Sequence, residues 1–138
     1  MRYFRGMQKN TISHFEIYAN DPEKLTKFYT TLFDWKVTPD PQMDYRVIHT
    51  GDTDDKGMLT QPGAINGGIM ARPAGFAMNG YVNYTMVDSI EDTVAKATSL
   101  GAKVTKPKAA VPGMGWFVMF TDPEGNNFAI FQADKQAK

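Results

Sequence analysis

The chain of 138 residues is long enough for one domain, or for two small modules sharing a core, and its 42% hydrophobic content supports a packed interior. Fifteen basic residues balance fifteen acidic ones, so net charge provides no attraction for nucleic acid or an anionic membrane. The absence of cysteine excludes disulfides, thiolate metal sites, iron–sulfur clusters and a cysteine nucleophile, and it fits a reducing compartment.

The first ten residues carry Arg2, Arg5 and Lys9 with no apolar run behind them, which is not a secretory signal, and Met7 is an alternative start. No stretch approaches the roughly 20 apolar residues of a membrane helix, so the expected address is the cytoplasm. Ile12 to Tyr18 alternates as a strand, with Phe15 and Ile17 on one face and His14, Glu16 and Tyr18 on the other. Asn20-Asp21-Pro22 is a helix start, because Asp caps free N–H groups and Pro is tolerated at the first helical position. Leu25, Phe28, Tyr29 and Leu32 follow at helical spacing as one apolar stripe, and Trp35 to Thr38 begins a second strand. Tyr45–Thr50 and Gly67–Ala71 read as the third and fourth strands, with a Gly-, Asp- and Thr-rich loop from Gly51 to Ile65 between them.

The same order recurs in the second half. Tyr81 to Val87 alternates, Asp88-Ser89 caps a helix carrying Ile90, Val94, Ala97 and Leu100, Gly101 stops it, and Lys103-Val104 starts the next strand. Trp116–Thr121 and Asn127–Gln132 complete the set around the turn Asp122-Pro-Glu-Gly-Asn126. Asp21 and Asp88, Lys36 and Lys103, and Val37 and Val104 all stand 67 positions apart, which points to duplication. The expected modules are 11–72 and 81–133, joined by a linker at 73–80. Lys103, Lys106 and Lys108, interrupted by Pro107, read as a solvated strand edge. The helix of each βαβββ module covers one sheet face, and the uncovered faces imply a cleft suited to a ligand.

His14-Phe-Glu-Ile-Tyr-Ala-Asn-Asp-Pro-Glu with Phe28-Tyr29 behind it, Ala110-Val-Pro-Gly-Met-Gly-Trp-Phe117, and Phe120-Thr-Asp-Pro-Glu-Gly-Asn-Asn-Phe128 are the carrying motifs. Through them the chain resembles the glyoxalase / bleomycin-resistance / extradiol-dioxygenase (vicinal oxygen chelate) superfamily, from Thr11 to Gln132. The resemblance implies an α+β fold: two βαβββ repeats forming a curved mixed sheet around a central cleft, with the helices on the outer face. It also implies a small-molecule ligand and a homodimer, with no nucleic-acid or membrane partner. In metal-dependent members the ligands come from the first and last strands of each module. His14 falls at the first of these positions, but the others fall at Ile69 or Met70, at Tyr81 or Val82, and at Ala129. The expectation is therefore no metal cofactor; a divalent metal, if bound, would use His14, Glu16 and His49.

The offset of 67 places Tyr81, Asn83 and Thr85 on the face of His14, Glu16 and Tyr18, and sends Val82, Tyr84 and Met86 towards the helices with Phe15 and Ile17. Trp116 and Met119, beside the Pro112-Gly-Met-Gly loop, read either as adaptable apolar walls or as core. The expected ligand-binding set is His14, Glu16, Tyr18, Tyr81, Asn83, Trp116 and Met119, with no assigned catalytic residue. Gly63 to Gly68 lacks the ending of a phosphate loop and reads as a flap or strand entry, and no Gly-x-Ser-x-Gly occurs. Three functions follow in order: a binder of small molecules without the usual metal site, an atypical metal-dependent lyase, isomerase or dioxygenase, and an interaction module without a ligand.

Overall fold

The computed structural model describes residues 9–41, 43–56, 58–75 and 80–138. Arg2, Arg5, Met7 and linker positions 76–79 lie outside the described residues. The fold is α+β, in the order β1 (Ile12–Ala19), α1 (Pro22–Phe33), β2 (Lys36–Pro39), β3 (Tyr45–His49), β4 (Gly67–Ala71), β5 (Tyr81–Met86), α2 (Ile90–Ser99), β6 (Lys103–Val111), β7 (Gly115–Thr121) and β8 (Asn127–Ala133). This is βαβββ twice. No helix among the described residues is long and apolar enough to cross a membrane.

The chain clusters into two compact units. One is His14–Tyr81; the other is Val82–Lys138 with the described residues up to Ser13. In the first, the strand order is β2-β3-β4-β1, with β1 and β4 parallel and the remaining pairs antiparallel. In the second, the order is β5-β8-β7-β6, with β5 and β8 parallel and the remaining pairs antiparallel. There the residues before β1 run beside β5: Asn10 N–H donates to the Met86 carbonyl at 2.6 Å, and Met86 N–H to the Thr11 carbonyl at 2.9 Å.

Helix α1 starts where the sequence predicts. Asp21 accepts from the Lys24 N–H at 3.1 Å, and Pro22 opens the first turn. Its inner face packs Leu25 and Tyr29 on Phe15, Ile17, Ala19, Ile48 and Ile69, with Trp35 stacked on Tyr29 at 5.3 Å. The predicted stripe is only half right, because Phe28 and Leu32 are more than half exposed. Both lie to one side of the line through Leu25 and Tyr29, Phe28 by about 60° and Leu32 by about 20° from Leu25 at about 100° per residue.

Helix α2 packs Ile90, Val94 and Ala97 on Val87, Val118, Phe120 and Ile130. Leu100, expected on this stripe, is its C-cap residue and stays exposed. Gly101 follows at φ 101°, a left-handed conformation that suits glycine and ends the helix. The turn before β8 is held by the Asp122 carboxylate. It accepts from the N–H groups of Asn126 and Glu124, each at 2.9 Å, and hydrogen bonding to Asn126 above all holds its pKa below the usual value. Strand β6 is the edge of its unit's order, with Lys103 and Lys106 exposed, Pro107 within it and two register shifts, devices that blunt an edge.

The expected face of β5 also fails. The offset of 67 holds for the starts of β2 and β6, Lys36 and Lys103, but the helix caps are Asp21 and Ser89, 68 apart. A slip of one residue reverses every side chain of a strand. Tyr84 and Met86 are in register with Ala129 and Phe131, whereas Thr85 is in register with Ile130 of the α2-facing core. Val82, Tyr84 and Met86 therefore lie on the face away from α2, and Asn83 and Thr85 on the α2 side.

Candidate functional site

In the unit His14–Tyr81, alternation gives the sheet a helix face and a second face that no helix of the unit covers, the open face. Gly67 is in register with Phe15 and Ile48 on the helix face, and Gly68 with Glu16 and Val47 on the open one. The open face thus carries His14, Glu16 and Tyr18 from β1, Met70 from β4, and Tyr45, Val47 and His49 from β3. The Gly67-Gly68 pair is a strand entry rather than a flap. Each glycine makes room for an aromatic ring. A Cβ on Gly67 would strike the Phe15 carbonyl and ring, and a Cβ on Gly68 would fall within the Tyr45 ring, against Cζ, Oη and Cε1.

Because Gly68 has no side chain, Tyr45 lies flat across β4 and reaches β1. Its hydroxyl stands 2.7 Å from His14 Nε2, with the two rings nearly parallel at 16° and 6.4 Å between centroids. His14 Nε2 is also 3.9 Å from Glu16 Oε2, and the Tyr18 hydroxyl donates to Glu16 Oε1 at 3.1 Å. The four groups form one chain: Tyr45, His14, Glu16, Tyr18. Their side chains are largely covered, with 24% of His14 and 12% of Glu16 exposed. Burial lowers the His14 pKa below 6.5 and outweighs the opposing pull of the Glu16 carboxylate. The imidazole is neutral at pH 7, so the His14 tautomer sets whether Tyr45 donates or accepts.

The sequence-predicted residues divide. His14, Glu16 and Tyr18 come together. Tyr81 packs on the helix side of its unit, with its ring 5.6 Å from Phe15 and its hydroxyl donating to Tyr29 Oη at 3.0 Å; burial and Tyr29 push its pKa up to about 12. Asn83 is exposed on the α2 side through the slip described above. Trp116 also lies on the α2 side and packs on the core there. Its Nε1–H donates to Asp134 at 3.0 Å, and Lys108 Nζ sits 4.6 Å over the ring. Met119 is buried on the opposite face of β7, in register with Ala129. The sequence marks Tyr45 and Gly68 only as a Tyr heading a strand and a Gly-Gly pair heading another, and the pairing carries meaning only once the register is known.

Among the described residues no three His, Cys, Asp or Glu side chains converge. His49 sits in register with Lys36, and its pKa is lowered by burial and then by that lysine; its Nδ1 is covered and meets no partner among the described residues. At the positions where the resemblance places the other ligands, Ile69 or Met70, Tyr81 or Val82, and Ala129 offer hydrocarbon, thioether or phenol in place of carboxylate or imidazole. The residues do not fit a divalent metal. Two surface concavities, about 520 Å³ beside α1 and about 450 Å³ in the loop from Thr50 to Ala64, are not lined by His14, Glu16 or Tyr45.

The family model for the Glyoxalase/Bleomycin resistance protein/Dioxygenase superfamily matches residues 11–130. A glyoxylase-like domain-containing protein of Didymella fabae is 30% identical over 124 residues, covering 86% of this chain and 91% of that one. A Mycobacterium tuberculosis protein, CFP32, which bears the provisional name of glyoxylase, is 30% identical over 93 residues. That match covers 67% of this chain but spans 31% of the relative's length. Among solved structures, the Mn(II)-bound glyoxalase from Novosphingobium aromaticivorans shares the fold, with a TM-score of 0.61 at 16% identity over 94% of this chain and 40% of that one. The chain belongs to the Glyoxalase/Bleomycin resistance protein/Dioxygenase superfamily.

Proposed function

We propose that this protein binds a small polar molecule on the open sheet face of its first unit, holding it by hydrogen bonds from His14, Glu16, Tyr18 and Tyr45 without a coordinated metal. The observation that carries this reading is the 2.7 Å contact between Tyr45 and His14, made across a glycine that leaves room for it. A neutral imidazole, a carboxylate and two phenols supply donors and acceptors on one side of a sheet, and such a set orients a polar ligand. The same contact favours a second reading, in which His14 takes a proton from the substrate and Tyr45 supplies or receives one. Family membership fits both.

A thermal-shift screen of small polar compounds tests the first reading. Compounds that stabilise the wild type are expected to lose their effect in Tyr45→Phe and His14→Ala. Stabilisation that survives both changes would reject this face as the site. Elemental analysis of the purified protein tests the metal-free part: one equivalent of a divalent metal, lost in His14→Ala, would overturn it. We further infer a homodimer that works in the cytoplasm. Light scattering checks the first part, with a mass near 15.4 kDa contradicting it, and fractionation checks the second.

A further inference from the structure

Arg72 is tied to the β1–β4 ladder one residue past the strand, its N–H donating to the Ala19 carbonyl at 2.9 Å. Alternation from Gly68 and Met70 places its side chain on the open face. It lies one step beyond the row of Tyr18, Met70 and Tyr45, about 7 Å along the strands. A guanidinium is charged at every physiological pH and offers five N–H donors and no acceptor. Here its Nε is covered and meets no acceptor among the described residues. No carboxylate among them pairs with it; Asp44 pairs with Arg46, Asp88 with Lys9 and Glu91 with Lys108. A cation held partly out of water without an anion disfavours the free protein, and a docking oxyanion relieves that penalty.

We propose that Arg72 is an anion-recognising residue at the end of this face. It takes the carboxylate or phosphate oxygens of a ligand whose uncharged polar part lies on the His14–Tyr45 chain. The placement of that polar part rests on the binding reading above; the anion contact itself does not.

The test titrates inorganic phosphate, and separately benzoate, into the ¹⁵N-labelled full chain at matched ionic strength and follows the Arg72 Nε–Hε resonance by NMR. A saturable shift is expected with at least one of them. Neighbouring amides should report the same binding, lost in Arg72→Met and several-fold weaker in Arg72→Lys, because an ammonium cannot present two parallel donors. Which anion binds distinguishes a carboxylate from a phosphate ligand. No saturable shift with either anion, or an unchanged affinity in Arg72→Lys, overturns the assignment, and the lysine variant decides the matter if Arg72→Met does not fold. Tyr45→Phe should leave the anion shift intact, so a failure of the His14–Tyr45 reading is separable from a failure at Arg72.

Discussion

Replacing Gly68 by Ala tests the arrangement on which the site depends. The new Cβ would lie within the Tyr45 ring, against Cζ, Oη and Cε1, so the ring must retreat on the order of 1–2 Å to regain ordinary carbon–carbon contact at about 3.5–4.0 Å. Overpacking of this kind costs about 1–3 kcal/mol, and the lost Tyr45–His14 hydrogen bond adds about 1 kcal/mol. The lower backbone entropy of Ala in the unfolded chain returns about 0.4–1 kcal/mol. The net expectation is a loss of about 2 kcal/mol in urea unfolding. In a Tyr45→Ala background the obstruction is gone, and Gly68→Ala should then be neutral or slightly stabilising. The double-mutant cycle should therefore show a coupling of about 2 kcal/mol. As Tyr45 withdraws, His14 gains water, and its pKa should rise towards 6.5 in Gly68→Ala. Equal effects of Gly68→Ala in both backgrounds, with His14 unmoved, would refute the claim that this glycine exists to seat that ring.

Because burial places the folded pKa of His14 and His49 below 6.5, the unfolded chain takes up protons first as pH falls; stability should be full above pH 6.5 and decline below it, less steeply in His14→Gln, and an NMR titration of His14 at or above 6.5 would contradict this. Ser89 accepts from the Asp92 N–H at 3.1 Å, so Ser89→Ala should cost about 1 kcal/mol in chemical denaturation while the exposed Asp88→Ala stays near neutral; the reverse would restore an offset of 67. Gly115→Ala should destabilise more than Gly68→Ala and resist rescue by Phe131→Ala, because its Cβ would meet the Gln132 backbone carbonyl as well as the Phe131 ring.

Much of this architecture is legible in the sequence because it is written locally. Alternation marks β1, Asp21 and Pro22 mark the start of α1, and Gly101 marks the end of α2. The motifs around His14 and Asp122 pointed to the superfamily that the family model matches. What stayed hidden depends on long-range register. Asp88 and Ser89 are both good caps, and only the register of β5 with β8 shows which face of β5 carries Tyr84 and Met86. Tyr81 and Trp116 look like binding aromatics, yet their partners are Phe15, Tyr29 and Asp134. Tyr45 meets His14 from 31 residues away, across a glycine on a third strand, a contact that periodicity does not encode.

The central claim is that ligand binds on the open face built by His14, Glu16, Tyr18 and Tyr45. The most direct measurement is a crystal structure of the protein with the compound that stabilises it most in the thermal-shift screen. A polar atom of that compound is expected within about 3 Å of Tyr45 Oη or the His14 imidazole. The same compound seated in the loop from Thr50 to Ala64, or beside α1, with the Tyr45–His14 contact untouched, would contradict it.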